Sequence, residues 1–238
     1  MRDHHILDNE CRLVESNGSM TDNPREQSGT LPVVDVYVAK FPFAVENEEI
    51  YPPERKQEIE SCSNEKVRQS KYYVWKLLEL ALTRTFGLKI KDLTFTHTKN
   101  GKWECPDCCF SLSHSGELVA VALSQKRIGV DIERKDEARF DEKLAQKILT
   151  EREETTYKQL DERARSAVLN TIWTKKEALF KCTGEGGFTP SNVETTDAVF
   201  ASREIAYDSG RYIVTVASLD APRALFRLGE GLELIEMK

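Results

Sequence analysis

Residues 127–134 read RIGVDIER, and this stretch decides how the rest of the chain is interpreted. Three apolar residues alternate with Asp131 and Glu133, so the two-residue period of a strand directs both carboxylates to one face. Two explanations stay open at this point. The polar side of a half-buried strand is simply exposed to water, or the acids are a pair of hard oxygen ligands for a cation.

The residues that precede this strand predict one long helix, with strand-like segments before and after it in the sequence. Residues 1–30 are polar without an apolar period, which predicts a mobile extension. Apolar residues at three- and four-residue spacing from Asn64 to Phe86 predict an amphipathic helix that ends at Gly87. Four segments are strand-like: 33–41, 93–98, 109–115 and 117–124. Asn100 and Gly101 mark a turn between the second and the third of them.

The chain after this strand repeats the style. Helices are predicted around 138–149, from a capping box of Thr150 with Glu153, and from about Asp161 to Cys182. Glycines 184, 186 and 187 end the last of them. Strands at 199–207 and 211–218 flank Asp208 and Ser209 as a hairpin, and Pro222 argues against a continuous strand beyond it.

This element order predicts an α+β protein made of two similar α/β halves. The expected division is an extension at 1–30, an N-terminal half at 31–125 and a C-terminal half at 126–238. The acid pair then lies on the strand that opens the second half.

Charge and hydropathy exclude several classes of protein. Lys and Arg total 34 against 40 Asp and Glu, and the net charge of -6 argues against general binding to nucleic acid or anionic membranes. No apolar run approaches the roughly 20 residues that cross a bilayer, and the first residues lack a signal-peptide core. We therefore expect a cytoplasmic protein.

The six cysteines include a cluster, CPDCC at residues 105–109. Cys105 and Cys108 have CxxC spacing, but a structural zinc site needs a second pair of ligands at comparable spacing, and the sequence offers none. Free thiols of a reducing compartment are the favoured interpretation, and a redox dithiol is the alternative.

The stretch WTKKEALFK, residues 173–181, combines one acid with several lysines on a helix. Glu177 and Lys181 are four residues apart and share a face, which on its own indicates a surface ion pair. Together with Lys175 and Lys176, however, the cations suit an anionic ligand such as phosphate.

The stretch SLSHS, residues 111–115, lies on an extended segment. Ser113 and His114 point to opposite faces, so they cannot form the nucleophile and base of a hydrolase. Hydroxyl and imidazole groups can instead donate to phosphate oxygens, as can Lys102 in the preceding turn. The GxSxG elbow, the P-loop and the GxGxxG pattern are all missing from the sequence.

Three stretches in this order, FSLSHS (110–115), GVDIE (129–133) and WTKKEALFK (173–181), resemble the 4′-phosphopantetheinyl transferases of the surfactin-synthetase-activating type. The resemblance extends over roughly residues 33–218. It implies transfer of the phosphopantetheine arm of coenzyme A to a carrier-protein serine, with release of adenosine 3′,5′-bisphosphate. It also implies two halves related by a pseudo-twofold axis, with the active site in the cleft between them.

The resemblance assigns roles to individual residues. The acids that bind Mg²⁺, or Mn²⁺ in its place, are implied to be Asp131, Glu133 and Glu177. The catalytic residues are implied to be Glu177, which orients or deprotonates the carrier serine, with Lys176 and Asp131. The residues implied to bind coenzyme A are Lys102, Ser113, His114, Lys176, Lys181, Asp131 and, in the N-terminal half, Arg68. Trp103 stands where the family has a proline.

The expected partners are coenzyme A and an apo acyl or peptidyl carrier protein, with no nucleic acid and no membrane. The doubled architecture favours a monomer, and the carrier could belong to fatty-acid, polyketide or nonribosomal-peptide synthesis. Arg134, Lys135, Arg139 and Lys143 form either a carrier-docking patch or a solvated helix face. The alternatives are a non-catalytic coenzyme A-binding module and, more remotely, a zinc- or thiol-dependent regulator.

Overall fold

The computed structural model describes residues 33–99, 101–135, 141–184, 186–195, 198–207, 210–219, 223–230 and 233–236. The predicted extension at 1–30 lies outside the described residues. So do Asn100, Arg139, the hairpin residues Asp208 and Ser209, and Pro222. Among the helices that are described, none is long and apolar enough to cross a membrane.

The described part of the chain is a mixed α+β structure. Its helices are α1 (Pro53–Glu60), α2 (Glu65–Phe86), α3 (Glu142–Ile148), α4 (Glu151–Tyr157) and α5 (Glu162–Thr183). Its strands are β1 (Val33–Lys40), β2 (Thr96–His97), β3 (Trp103–Glu104), β4 (Cys109–Ser115), β5 (Leu118–Ser124), β6 (Ile128–Arg134), β7 (Val199–Tyr207), β8 (Gly210–Ser218), β9 (Arg223–Glu230) and β10 (Glu233–Glu236). The segment predicted as a strand at 93–98 is reduced to the short β2.

The larger sheet has the strand order β10-β9-β1-β5-β4. Strand β1 runs antiparallel to β5 and parallel to β9. After residue 219 the chain therefore returns to the sheet that the N-terminal half began. Strands β9 and β10 of the predicted C-terminal half thus belong to the same sheet as β1, β4 and β5 of the predicted N-terminal half.

A second sheet has the order β6-β8-β7, with all neighbours antiparallel. One face of β6 contributes Ile128, Val130 and Ile132 to a core shared with β1, β5 and β8. Helix α5 packs against β6 and β8. The capping box predicted for α4 is present, because Thr150 accepts from Glu153 N–H and Glu153 accepts from Thr150 N–H.

Helix α2 packs against β5 of the larger sheet. It begins at Asn64, whose side chain accepts from Val67 N–H, and ends at Gly87 with a left-handed φ of 70°. Its buried side chains, mainly apolar, include Trp75, Leu78 and Leu82. The helix predicted from the apolar period is confirmed.

A row of serine hydroxyls joins β4 of the first sheet to β6 of the second. The hydroxyl oxygens of alternate residues of β4 accept hydrogen bonds from alternate backbone N–H groups of β6. The three bonds run from Val130 N–H to Ser111 (2.9 Å), from Ile132 N–H to Ser113 (3.2 Å) and from Arg134 N–H to Ser115 (3.0 Å). These N–H groups would otherwise lie unpaired at the edge of β6, where burial makes an unpaired donor costly. The seam fixes the SLSHS stretch against GVDIE.

Candidate functional site

Gly129 permits helix α5 to lie directly on strand β6. A Cβ at this position would come within 1.9 Å of the Ala178 carbonyl oxygen and 2.5 Å of the Cys182 backbone nitrogen. No side chain fits such a gap, so the backbones approach only because residue 129 is glycine. Asp131 and Glu133 alternate with Gly129 and share its face, which the helix covers.

The acid pair is buried, with Asp131 5% and Glu133 6% exposed. The explanation of a water-exposed strand face is therefore wrong. Asp131 Oδ1 accepts hydrogen bonds from Ser113 Oγ at 2.8 Å and from Lys181 Nζ at 2.8 Å. Its second oxygen, Oδ2, is buried with no hydrogen-bond partner among the described residues. One carboxylate is thus held by both neighbouring elements and keeps one oxygen for another ligand.

Ser113 connects three elements at this point. Its hydroxyl donates to Asp131 and accepts from Lys181 Nζ at 3.0 Å, in addition to the Ile132 N–H of the seam. The predicted site residues Ser113, Asp131 and Lys181 therefore lie in one hydrogen-bonded cluster, in which Ser113 and Asp131 are buried and Lys181 is partly exposed.

The structure does not gather the predicted metal triad of Asp131, Glu133 and Glu177. Within the ranges that the structure describes, no three His, Cys, Asp or Glu side chains lie close enough to hold a metal ion. The unpartnered Asp131 Oδ2 nevertheless fits a hard cation, because Mg²⁺ uses one or two carboxylates and completes its shell with water and substrate phosphates. The donor set fits a Mg²⁺ ion shared with a phosphate ligand, and not one held by the protein alone.

A pocket of about 300 Å³ opens beside this cluster. Four predicted ligand-binding residues line it: Lys102, Ser113, His114 and Lys181. The lining also contains two cations from α1 and α2, Arg55 and Lys71, and aromatic side chains, Trp103, Phe110 and Phe180. The pocket thus combines apolar walls with positive charges from both sides of residue 125.

Lys102 spans the pocket to the end of helix α5. Its Nζ donates to the carbonyl oxygen of Lys181 at 2.7 Å, and partial burial lowers its pKa. The turn that carries it is closed by the bond from Thr98 N–H to the Lys102 carbonyl and contains Gly101 at φ 76°. A tryptophan after this lysine, in place of proline, is compatible with the turn.

His114 lies in the pocket with its ring partly open to solvent. The surrounding protein removes part of the hydration of the imidazolium, and this loss, followed by repulsion from Lys181, lowers the pKa of His114. The neutral imidazole can donate one N–H to a ligand, and a bound anion would favour its protonation.

The structure does not bring Lys176 to the cluster. Its side chain is fully buried, and Nζ contacts Glu153 at 2.6 Å, the Pro190 carbonyl at 3.0 Å and the Val193 carbonyl at 2.9 Å. The helical period explains the difference, because Lys176 and Lys181 are separated by about 140° around the helix axis. None of these contacts of Lys176 supports a role in catalysis or in coenzyme A binding.

Arg68 is not part of the pocket lining either. It pairs with Glu65 on an exposed turn of helix α2. Helices α1 and α2 contribute two other cations to the pocket lining, Arg55 and Lys71. Neither of them was predicted from the sequence as a site residue. They belong to no motif, and 16 residues separate the Arg55 guanidinium from the Lys71 carbonyl that it contacts.

Cys105, Cys108 and Cys109 of the cluster are free thiols, a state that both the favoured interpretation and the redox dithiol allow. Cys105 and Cys108 are buried and face each other across an isolated antiparallel bridge. Their side chains belong to the core below the pocket, together with Trp103 and Phe110. Among the residues described, no group of side chains is arranged to hold the zinc ion that a zinc-dependent regulator would need.

The second half of the chain is similar to a known protein family. Residues 127–217 match the model of the 4′-phosphopantetheinyl transferase superfamily. The 4′-phosphopantetheinyl transferase gsp of Aneurinibacillus migulanus is 31% identical over 120 residues, which cover 49% of this chain and 48% of that protein. The putative 4′-phosphopantetheinyl transferase slr0495 of Synechocystis sp. is 30% identical over 139 residues, 56% of each chain.

The 4′-phosphopantetheinyl transferase Sfp of Bacillus subtilis is 26% identical over 113 residues, which cover 46% of this chain and 50% of that protein. The chain spans about half the length of the curated relatives it matches. The resemblance predicted from the three motifs is confirmed over the matched segment.

Proposed function

We propose that the protein transfers the 4′-phosphopantetheine group of coenzyme A to a serine of an apo acyl or peptidyl carrier protein and releases adenosine 3′,5′-bisphosphate. One observation carries the proposal. The Asp131 carboxylate is fixed by Ser113 and Lys181 beside a cation-lined pocket, and it keeps one buried oxygen that has no hydrogen-bond partner in the part of the chain that the structure describes. A carboxylate left in this state next to several cations suits a ligand that brings both phosphate and a metal ion.

The pocket suits the phosphates of coenzyme A. Lys102, Lys181, Arg55 and Lys71 line it, and His114 adds a further donor. Coenzyme A carries several negative charges on its pyrophosphate and ribose phosphate, so cations that converge in a partly dehydrated pocket stabilise it more than exposed lysines could. The aromatic walls leave room for a purine ring to stack.

Mg²⁺ is the proposed metal, and Asp131 Oδ2 with a second carboxylate, Glu133 or Glu177, would hold it. Bound there, it supplies positive charge to the pyrophosphate. The role of Lys181 follows from its position, since the ammonium group beside Asp131 can stabilise the charge that develops on the departing phosphate.

Glu177 is the proposed group that receives the proton of the carrier serine, directly or through water. A bond then forms between the serine oxygen and the phosphorus that carries pantetheine. The bond from that phosphorus to the bridging oxygen breaks, and the bridging oxygen leaves with adenosine 3′,5′-bisphosphate. Positioning and electrostatics supply most of the acceleration in such transfers.

Several finer features belong to the same proposal. We propose a pseudo-twofold arrangement of two halves with the active site in the cleft between them, a cytoplasmic location and a monomeric enzyme. Lys176 is reassigned from catalysis to support of helix α5, because its ammonium group is fully engaged by Glu153 and two carbonyls.

The test incubates the protein with coenzyme A, Mg²⁺ and a panel of apo acyl and peptidyl carrier proteins. Intact-mass spectrometry should show one added phosphopantetheine on at least one carrier. Replacing Asp131 by Asn should slow the transfer by about a hundredfold or more, the size of effect seen when a transition-state charge contact is lost. An unchanged carrier mass across the panel, with coenzyme A still bound, would support the non-catalytic binding module instead.

A further inference from the structure

Three pocket-lining side chains meet at a single carboxylate, that of Glu58. Arg55 Nη1 donates to Glu58 Oε2 at 2.6 Å, and Trp103 Nε1 donates to the same oxygen at 2.9 Å. Lys71 Nζ donates to Oε1 at 2.9 Å. These three groups come from α1, β3 and α2, and we call them the Glu58 wall (Arg55, Lys71 and Trp103). One carboxylate therefore connects three separate elements of the pocket.

The Glu58 wall remains positively charged. It contains two cations against the single charge of Glu58, so one positive charge is left over. Burial acts to raise the pKa of Glu58, but hydrogen bonds from Lys71 and Trp103 and the charge of Arg55 outweigh it and hold the pKa at about 2. Glu58 is thus ionised at any physiological pH, and the arrangement does not depend on a protonation change.

Arg55 is held in place on several sides. Its side chain is 5% exposed, its guanidinium lies 4.8 Å from the Trp75 ring centre, and Nη2 donates to the Lys71 carbonyl at 3.1 Å. Its Nε, however, is buried with no hydrogen-bond partner among the described residues. A buried donor without a partner is unfavourable, and an anion that accepted a hydrogen bond from Nε would remove this penalty.

We propose that Glu58 is a positioning residue that fixes the Glu58 wall as a binding surface for a phosphate group of the nucleotide substrate. The proposal rests on the proposed function, because the nucleotide is the coenzyme A of that reaction. It adds a second cationic surface to the one formed by Lys102 and Lys181. Glu58 itself acts through its neighbours and does not touch the substrate.

Glu58→Gln tests the proposal by direct binding. Glutamine keeps the size of the side chain, but its NH₂ group is a hydrogen-bond donor and replaces one of the two accepting oxygens of the carboxylate. Donors of the Glu58 wall would then face another donor, so the wall loses its fixed geometry. Isothermal titration with adenosine 3′,5′-bisphosphate and with coenzyme A, without carrier or metal, should show about tenfold weaker binding. Unchanged dissociation constants would overturn the proposal.

The matched control is Glu60→Gln on the same helix. The Glu60 side chain is 66% exposed and lies 3.9 Å from Lys56, an exposed pair of little energetic weight. Its substitution should leave nucleotide binding unchanged. Removal of a negative charge would by itself favour an anionic ligand, so equal weakening in both variants would show that the loss is not specific to the Glu58 contacts, and that result too would contradict the proposal.

Kinetics separate positioning from a general loss of structure. In Glu58→Gln the KM for coenzyme A should rise about tenfold while kcat at saturation stays within about twofold of the wild-type value. Lys71→Met should weaken binding as well, and the double variant should be less impaired than the two single effects combined, because Glu58 acts partly through Lys71. If Glu58→Gln does not fold, Lys71→Met decides, and normal nucleotide binding by it would overturn the proposal.

The outcomes also distinguish this proposal from the proposed function. If wild-type protein binds coenzyme A but modifies no carrier, the transfer activity fails while the binding comparison between Glu58→Gln and Glu60→Gln still stands. If transfer is observed and Glu58→Gln binds nucleotide normally, the transferase stands and the positioning role fails.

Discussion

The two long helices, α2 and α5, are built alike and used differently. Each has 22 residues, each begins at an Asx cap, Asn64 or Asp161, and each ends at a left-handed glycine, Gly87 or Gly184. Helix α2 buries a run of large apolar side chains against its sheet. Helix α5 buries apolar residues as well, but beside them it buries a group of polar residues, Asn170, Thr174 and Lys176, that are 2% exposed or less.

The difference lies in how closely each helix approaches its sheet. The large side chains of helix α2 separate its backbone from the sheet and form part of the core below the pocket. Helix α5 meets strand β6 at backbone distance over Gly129, and the polar groups around this contact are tied down individually. A close approach leaves little room for apolar packing, but it places Lys181 within hydrogen-bonding distance of Asp131. We infer that α2 mainly supplies stability and α5 mainly supplies the site.

Gly129→Ala should have the largest effect, because it attacks the close approach itself. The new Cβ would overlap the Ala178 carbonyl, a backbone atom that cannot turn away, so α5 must move off β6. We expect carrier modification to fall by at least about a hundredfold, since displacements near 1 Å can cost that much. Gly187→Ala is the control, because a Cβ there meets no atom of the described residues within 4 Å and should leave the rate unchanged. Normal activity in Gly129→Ala would show that the site does not depend on the approach.

Lys181→Met should come next, because it removes the α5 cation that contacts Asp131 and lines the pocket. The carboxylate then keeps Ser113 as a partner, so the fold should survive. We expect kcat to fall by about a hundredfold with a smaller change in the KM for coenzyme A, since the lysine acts on charge that develops in the transition state. Steady-state transfer assays check this, and a change in KM alone would assign the lysine to ground-state binding.

The contrast between Lys181 and Lys176 shows what the sequence could and could not predict. Helices α2 and α5 and strands β1, β4, β6 and β7 follow from local apolar periods and caps, so they were predicted within a few residues. The roles of Ser113, Asp131 and Lys181 came from the family resemblance, and the structure joins these three. The separate directions of Lys176 and Lys181 were present in the helical period, although both had been assigned to the site.

Other features had no local signal. The Glu58 wall depends on side chains that are 13 and 45 residues from Glu58, and no motif marks such contacts. The serine seam uses the hydroxyls of SLSHS as acceptors for β6, which depends on how the two sheets meet. The return of β9 and β10 to the first sheet likewise follows from pairing with β1, a long-range choice that local periods do not specify.

Lys176→Met should separate stability from catalysis on the same helix. The substitution leaves Glu153, with a side chain 11% exposed, beside two carbonyls without their cation. Breaking a buried ion pair on one side costs about 3–5 kcal/mol, and we expect a loss of this size in urea unfolding. Transfer by the folded fraction at low temperature should stay within about threefold of the wild-type rate. A hundredfold slower reaction with unchanged stability would return Lys176 to the catalytic residues.

The smallest effect concerns the contribution of α2 to the pocket, where Lys71 is held by Glu58 of α1. The folded-state pKa of Glu58 is lowered from 4.5 to about 2, so its ionised form stabilises the fold above the unfolded-state pKa, and this stabilisation is lost as the pH falls through about 2. The difference in unfolding free energy between wild type and Glu58→Gln should be constant from pH 7 to about pH 5 and shrink from about pH 4.5 towards pH 2. Urea unfolding at constant ionic strength measures it. A difference that persists undiminished at pH 2 would mean that the Glu58 charge does not hold Lys71 and Arg55, and that the α2 side of the pocket is fixed by packing alone.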